Sequence, residues 1–173
     1  MILDLHQFED FPVEVLIEAK AGEIEAFRED VTSVDRVEIQ LAIQKAGEEY
    51  FCQGSVAGQV RMECARCLSE FSTELTGRAD FIVRSEPAGD GHRAEIYDDE
   101  DYVFFRGNNL RADITDIVTQ TLVLATPIKP ICSEDCKGLC PVCGCNRNEK
   151  SCTCGQDRID SRWEGLADLT DNR

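Results

Sequence analysis

Apolar and polar side chains alternate over long stretches of this chain, with the two-residue period of a strand that buries one face. The alternation is clearest in residues 34–45, where Val37, Ile39, Leu41 and Ile43 interleave with Glu38, Gln40, Ala42 and Gln44. Residues 12–19 read as another strand. From Tyr50 to Val83 the pattern continues: Val60, Met62 and Cys64 share a face, then Phe71, Thr73 and Leu75, then Phe81 and Val83. Gly54, Gly58 and Gly77 interrupt it and read as bends, bulges or turns. Ser85–Ala94 has loop chemistry, the acidic string Glu95–Asp101 follows, and Tyr102–Phe105 resumes as a strand.

The period changes at Asp113. Ile114, Ile117, Val118, Leu122 and Ala125 follow the three- and four-residue spacing of one helix face. Asp113 is placed to cap this helix and Asp116 sits at its positive end, while Pro127 and Pro130 stop it. Asp160–Leu169 reads as a helical turn or two, with Trp163 as its core anchor. The expected fold is α+β: an antiparallel β-rich body over residues 1–130 with its main helix near 113–126, and a cysteine-rich C-terminal segment and tail over 131–173.

Charge narrows the choice of partner. The net charge is −16, and residues 1–128 carry 26 acids against 11 Lys and Arg. Residues 129–162 are close to neutral, with 6 basic residues against 5 acidic ones. A bare nucleic-acid binder usually shows a basic footprint, and this chain has none. An acidic surface suits a basic protein partner, although it is also a plain route to solubility. The string Glu95–Asp101 reads as a solvated loop or as a dock for a cationic partner. No apolar run approaches the roughly 20 residues a membrane helix needs, and the first ten residues carry acids where a signal peptide would be basic. A soluble, cytoplasmic protein with reduced thiols is expected.

Seven of the ten cysteines fall between Cys132 and Cys154. Cys140-P-V-Cys143-Gly144 has the spacing of a zinc knuckle, in which backbone N–H groups turn toward the first sulfur and glycine accepts positive φ. Cys152-T-Cys154 projects two thiols to one side, so Cys140, Cys143, Cys152 and Cys154 form the first expected site. Cys64-A-R-Cys67 is another half-site, and Cys132 with Cys136 is its natural complement. Closing that loop of about 64 residues is affordable, because closure entropy grows only logarithmically. The alternatives are reduced buried thiols at these positions, or one ion shared among the C-terminal cysteines alone. Cys52 lies in a strand pattern and reads as core. Cys145 either replaces Cys143 or Cys154 as a ligand or stands free. Zinc is expected over iron, at one or two ions per chain, although C-P-x-C-G also occurs in mononuclear iron–thiolate sites. An all-thiolate site has no open position for catalysis.

Catalytic signals are missing elsewhere. His6 and His92 neighbour no nucleophile motif and read as solvated. No phosphate-binding loop, dinucleotide fingerprint or nucleophile elbow occurs. The expectation is a protein that is not an enzyme and takes no small-molecule substrate.

Three stretches resemble the YceD family of large ribosomal RNA subunit accumulation proteins. They are V-x-M-E-C-A-R-C-L-x-x-F at Val60–Phe71, D-I-T-D-I-V-T-Q-T-L-V-L-A-T-P-I-K-P at Asp113–Pro130, and the ending Cys132–Asn148, Cys152-T-Cys154 and Asp160–Leu166. The chain departs from the family pattern at Thr119–Thr121, where a glutamate is expected, and in the extra thiol Cys145. The resemblance implies a cytoplasmic, non-enzymatic factor for synthesis, processing or stability of large-subunit (23S-type) rRNA. Its expected partners are the large-subunit precursor and a basic ribosomal protein or the rRNA. The near-neutral segment offers Lys137, Arg147, Lys150, Arg158 and Arg162 as contacts. Two other classes fit the cysteines: a redox-switched zinc chaperone that holds unfolded proteins, and a zinc-stapled interaction adaptor.

Overall fold

A computed structural model describes residues 1–20, 22–85, 102–105, 110–154 and 162. Expectations that fall on His92, the string Glu95–Asp101, Arg158 and Trp163 lie outside these residues. The chain divides into two compact units, Met1–Ala65 with Ser69–Cys132, and Arg66–Leu68 with Ser133–Arg173.

The first unit is built on a five-stranded sheet. Its strands are β2 (Val13–Lys20), β3 (Val31–Ala46), β4 (Glu49–Glu63), β5 (Glu70–Ser85) and β6 (Tyr102–Phe105), lying side by side in that order. All neighbours are antiparallel except β5 and β6, which run parallel. Gly47, at φ +64°, makes the tight turn between β3 and β4. The strands are long, with 16 residues in β3 and in β5, and register shifts near Val31/Ser33 and Val34/Arg36 break the ladder where β3 begins. A small second sheet pairs β1 (Ile2–Asp4) with β7 (Arg111–Asp113). Three residues are too few to carry a legible period, so these two strands were not expected from the pattern.

One face of the large sheet carries the core. Val37, Ile39, Leu41 and Ile43 of β3 lie across from Gly58, Val56, Gly54 and Cys52 of β4, and the apolar members are almost fully buried. Helix α1 (Thr115–Ala125) covers this face with Val118, Thr121 and Leu122. The N-cap is Ile114, without a side-chain cap bond, and not Asp113 as expected; Asp113, one residue earlier on β7, accepts the Thr115 N–H at 3.0 Å and the Thr115 hydroxyl at 2.6 Å. Those two bonds, the hydroxyl first, hold the Asp113 carboxyl below its ordinary range.

The strand glycines are not turns. Gly54, Gly58 and Gly77 lie inside β4 and β5. A Cβ on Gly58 would stand 2.7 Å from Leu122 Cδ2, and one on Gly77 would stand 2.6 Å from Thr121 Cγ2. A Cβ on Gly54 would meet the Gln40 carbonyl oxygen at 1.8 Å. Gly58 and Gly77 are the floor on which α1 sits, and Gly54 admits the backbone of β3. Cys52 is core, as expected: it is fully buried, and burial pushes its thiol up to about 12. His6 is exposed, yet its Nε2 accepts the Leu110 N–H at 3.3 Å. Among the described residues no helix is long and apolar enough to cross a membrane.

Candidate metal centres

Cys64 and Cys67 occupy the connection from β4 to β5. The Cys64 N–H donates to the Ser69 carbonyl at 3.0 Å, and Leu68, directly after Cys67, takes φ +57°. The same frame recurs at the other C-x-x-C. The Cys140 N–H donates to the Cys145 carbonyl at 2.8 Å, the Gly144 N–H returns to the Cys140 carbonyl at 2.8 Å, and Gly144 has φ +71°. Each knuckle is closed by a bond between residues i and i+5, and each needs left-handed backbone after its second cysteine. Glycine supplies that conformation freely; Leu68 adopts it at some strain.

The structure brings the cysteines together in two groups of four. The sulfurs of Cys140, Cys143, Cys152 and Cys154 all lie within 4.8 Å of one another, as do those of Cys64, Cys67, Cys132 and Cys136. Within the first group Cys152 Sγ is 3.4 Å from Cys140 Sγ and 3.6 Å from Cys143 Sγ. Four thiolates at about 2.3 Å from one ion are spaced about 3.8 Å apart in a tetrahedron, so the spacing suits a zinc-sized ion. All ten cysteines are unlinked.

Backbone and amide donors already point at the sulfurs. Val142 N–H reaches Cys140 Sγ at 3.4 Å, and Cys154 N–H reaches Cys152 Sγ at 3.4 Å. Cys132 N–H reaches Cys64 Sγ at 3.4 Å. The Asn148 side-chain amide donates to Cys136 Sγ at 3.3 Å, while its Oδ1 accepts the Lys137 N–H at 2.8 Å. Such bonds stabilise thiolate charge and orient ligands. Asn148 escaped the sequence reading. Its available signal was the N-x-N spacing of Asn146 and Asn148, which forms an Asx turn with Asn148 N–H on Asn146 Oδ1 at 3.0 Å.

Titration follows the same geometry. Cys143 is drawn down to about 6, first by the Cys145 N–H and then by the thiols around it. Cys140 is lowered by the N–H groups of Cys143 and Val142. Cys145, which donates to Cys143, and Cys154, which donates to Cys152, are each pushed up to about 12. Cys145 stands outside the four-sulfur group, and its carbonyl closes the knuckle.

The second unit is held by glycine and arginine. Gly138 has φ +67°, and a Cβ there would stand 2.9 Å from the Arg66 carbonyl oxygen. That carbonyl accepts the Leu139 N–H at 2.9 Å. Arg66 Nη1 donates to the carbonyls of Cys136 at 3.1 Å and Glu134 at 3.3 Å. Among the basic residues singled out from sequence, Lys137, Lys150 and Arg162 are exposed and Arg147 is half-buried.

Residues 52–170 match the profile of the family described as large ribosomal RNA subunit accumulation protein YceD. The span covers more than half of the chain, and the protein belongs to that family. Among curated relatives, an uncharacterized protein of Mycobacterium tuberculosis is 28% identical over 133 residues, 77% of this chain and 61% of its own length. The large ribosomal RNA subunit accumulation protein YCED homolog 1, chloroplastic, of Arabidopsis thaliana is 22% identical over 154 residues, 77% of this chain and 48% of its own length. The chain thus spans between about half and three fifths of the curated relatives it matches. No solved structure matches it.

Proposed function

We propose that this protein is a non-enzymatic ribosome-biogenesis factor that supports synthesis, processing or stability of large-subunit (23S-type) rRNA in the cytoplasm. The observation that carries this reading is membership of the YceD family across residues 52–170, a span that holds all eight clustered cysteines. Cys140, Cys143, Cys152 and Cys154 would hold one zinc ion, and Cys64, Cys67, Cys132 and Cys136 another. Zinc in an all-thiolate set supplies folding energy, of order 10 kcal/mol in small peptides, and no reactive position. The donor set fits that role: four sulfurs within 4.8 Å of one another, with N–H groups already turned toward them.

The acidic body receives a basic ribosomal protein of the large-subunit precursor. Lys137, Arg147, Lys150, Arg158 and Arg162 approach rRNA phosphates. Neither a membrane nor a small-molecule substrate has a part in this scheme. Affinity capture of the tagged protein at low salt tests it. Large-subunit precursor particles should be recovered, and recovery of no ribosomal component would sink the docking scheme.

One observation favours a second reading, a redox-switched holdase. Cys143 is exposed, and its sulfur lies 3.6 Å from that of Cys152. Peroxide could take two electrons from this thiol pair, forming one disulfide and leaving as water, with release of the ion. Suppression of aggregation that switches on with peroxide would establish this reading, and unchanged activity removes it. A zinc-stapled adaptor without an rRNA role remains the outcome if capture yields only non-ribosomal proteins.

A further inference from the structure

We infer that the free edge of β2 is a strand-addition site for a basic, extended segment of a partner protein. The inference rests on the reading above, in which a basic ribosomal protein meets the acidic body. Among the described residues β2 is the outermost strand of the sheet and pairs along its eight residues with β3 alone. Among the described residues, no loop backbone bonds to residues 13–19. Nothing among the described residues pairs with the outward N–H and C=O groups, which form a template about 27 Å long.

The core is unfinished along that side. Val13, Val15 and Ile17 point inward but are only half-buried. Their neighbours across the ladder, Ile43, Leu41 and Ile39, are 0%, 2% and 1% exposed. An added strand with apolar side chains on its inner face would cover all three. On the outer face Leu16 is 57% exposed, beside an open depression of about 550 Å³ lined by Glu14, Leu16, Gln40, Ala42, Gln53 and Ser55 among others.

Charge selects the occupant. Glu14 has no basic partner among the described residues. Glu18 and Glu38 share Arg36, at 2.6 and 3.2 Å, so that group of three keeps one negative charge. Residues set across from Glu14 and Glu18 should be Lys or Arg, and the one set across from Leu16 should be apolar. A second copy of this chain would bring its own Glu14 and Glu18 and a further charge of −16. The outward face of β2 carries Glu14 and Glu18 against the single Lys20, so it keeps a net negative charge that a basic strand complements, and the charge of −16 on each chain disfavours a second copy.

The probe is a labelled nonapeptide, Lys-Val-Lys-Val-Leu-Val-Lys-Val-Lys, titrated by fluorescence anisotropy into the zinc-loaded full chain. A control peptide of the same sequence carries N-methyl groups on alternate amides, which keeps its charge and removes one row of donors. Saturable binding is expected, weakened about tenfold or more by N-methylation and equally by Glu14→Lys with Leu16→Lys. No binding of the parent peptide, or equal binding of either control, overturns the inference. Both substituted positions are exposed, and a circular-dichroism melt checks that the variant folds; the methylated peptide needs no variant. A dimer that Leu16→Lys dissolves would give the edge to a second copy and overturn the choice of partner. Low-salt capture separates the two readings. If wild type and variant recover precursor particles equally, the edge inference falls and the biogenesis reading stands. If wild type recovers none but binds the peptide as predicted, the biogenesis reading falls and the strand-addition site stands.

Discussion

Replacing Gly77 with alanine should destabilise the protein although it adds only a methyl group. That methyl would stand 2.6 Å from Thr121 Cγ2 and 3.2 Å from the Thr121 carbonyl oxygen. Carbon atoms rest at about 3.5–4.0 Å, so the contact is short by about 1 Å. Thr121 has little freedom to turn away. It is β-branched, and its hydroxyl donates to the Ile117 carbonyl at 2.8 Å. Relief therefore requires α1 to lift from the sheet, against the seating of Leu122 over Gly58. Overpacking of this kind costs about 1–3 kcal/mol, and alanine in a strand returns about 0.5–1 relative to glycine. The expected net loss is about 1–2 kcal/mol, read as a lower urea midpoint at unchanged slope with zinc held constant. Thr121→Ser removes the conflicting methyl and keeps the hydroxyl. In the Gly77→Ala background it should recover about 1 kcal/mol, and in wild type it should recover nothing. A Gly77→Ala protein as stable as wild type, or one that Thr121→Ser fails to rescue, would refute the packing argument.

Four further outcomes follow from the cysteines and their surroundings. Natively purified protein should carry two zinc ions, and chelation should expose eight thiols, four from each group; elemental analysis with thiol titration reads both, and an iron-coloured sample contradicts the zinc assignment. Zinc affinity should rise with pH and binding should release protons, because Cys154, pushed up to about 12, must lose its proton to ligate; calorimetry in buffers of different ionisation enthalpy counts them. Asn148→Ala, which removes the amide bond to Cys136 Sγ, should speed chelator extraction of the corresponding ion about tenfold or more and leave the other ion unaffected. Cys52 has its pKa raised in the fold from 9.0 to about 12, so its contribution is intact below pH 9.0 and is lost as pH rises toward 12. Across that window wild type should lose stability relative to Cys52→Ala at about 1.4 kcal/mol per pH unit, measured by denaturant titration.

Much of the fold was legible where period and burial coincide. β3 reads directly from Val37, Ile39, Leu41 and Ile43, because one of its faces is sealed and the other is wet. α1 reads from its apolar stripe, although Thr121 joins the buried face without an apolar side chain. The glycines misled for a physical reason. Within a strand pattern, glycine marks either a break or a place where something packs close, and the two differ only in what lies above. Here that is a helix that begins 38 residues beyond Gly77, at Thr115, which local pattern does not reveal. The cysteine groups were legible because short spacing constrains where thiols can point. The amide of Asn148 was not, since it approaches Cys136 from a separate turn. Leu68 gave no hint of positive φ, and only the shared frame of the two knuckles exposes it.

The most direct test of the biogenesis role is the ratio of large- to small-subunit rRNA in cells depleted of this protein. The account predicts a fall in large-subunit rRNA that the wild-type chain restores and that Cys140→Ser with Cys143→Ser does not restore. An unchanged ratio after complete depletion would contradict it.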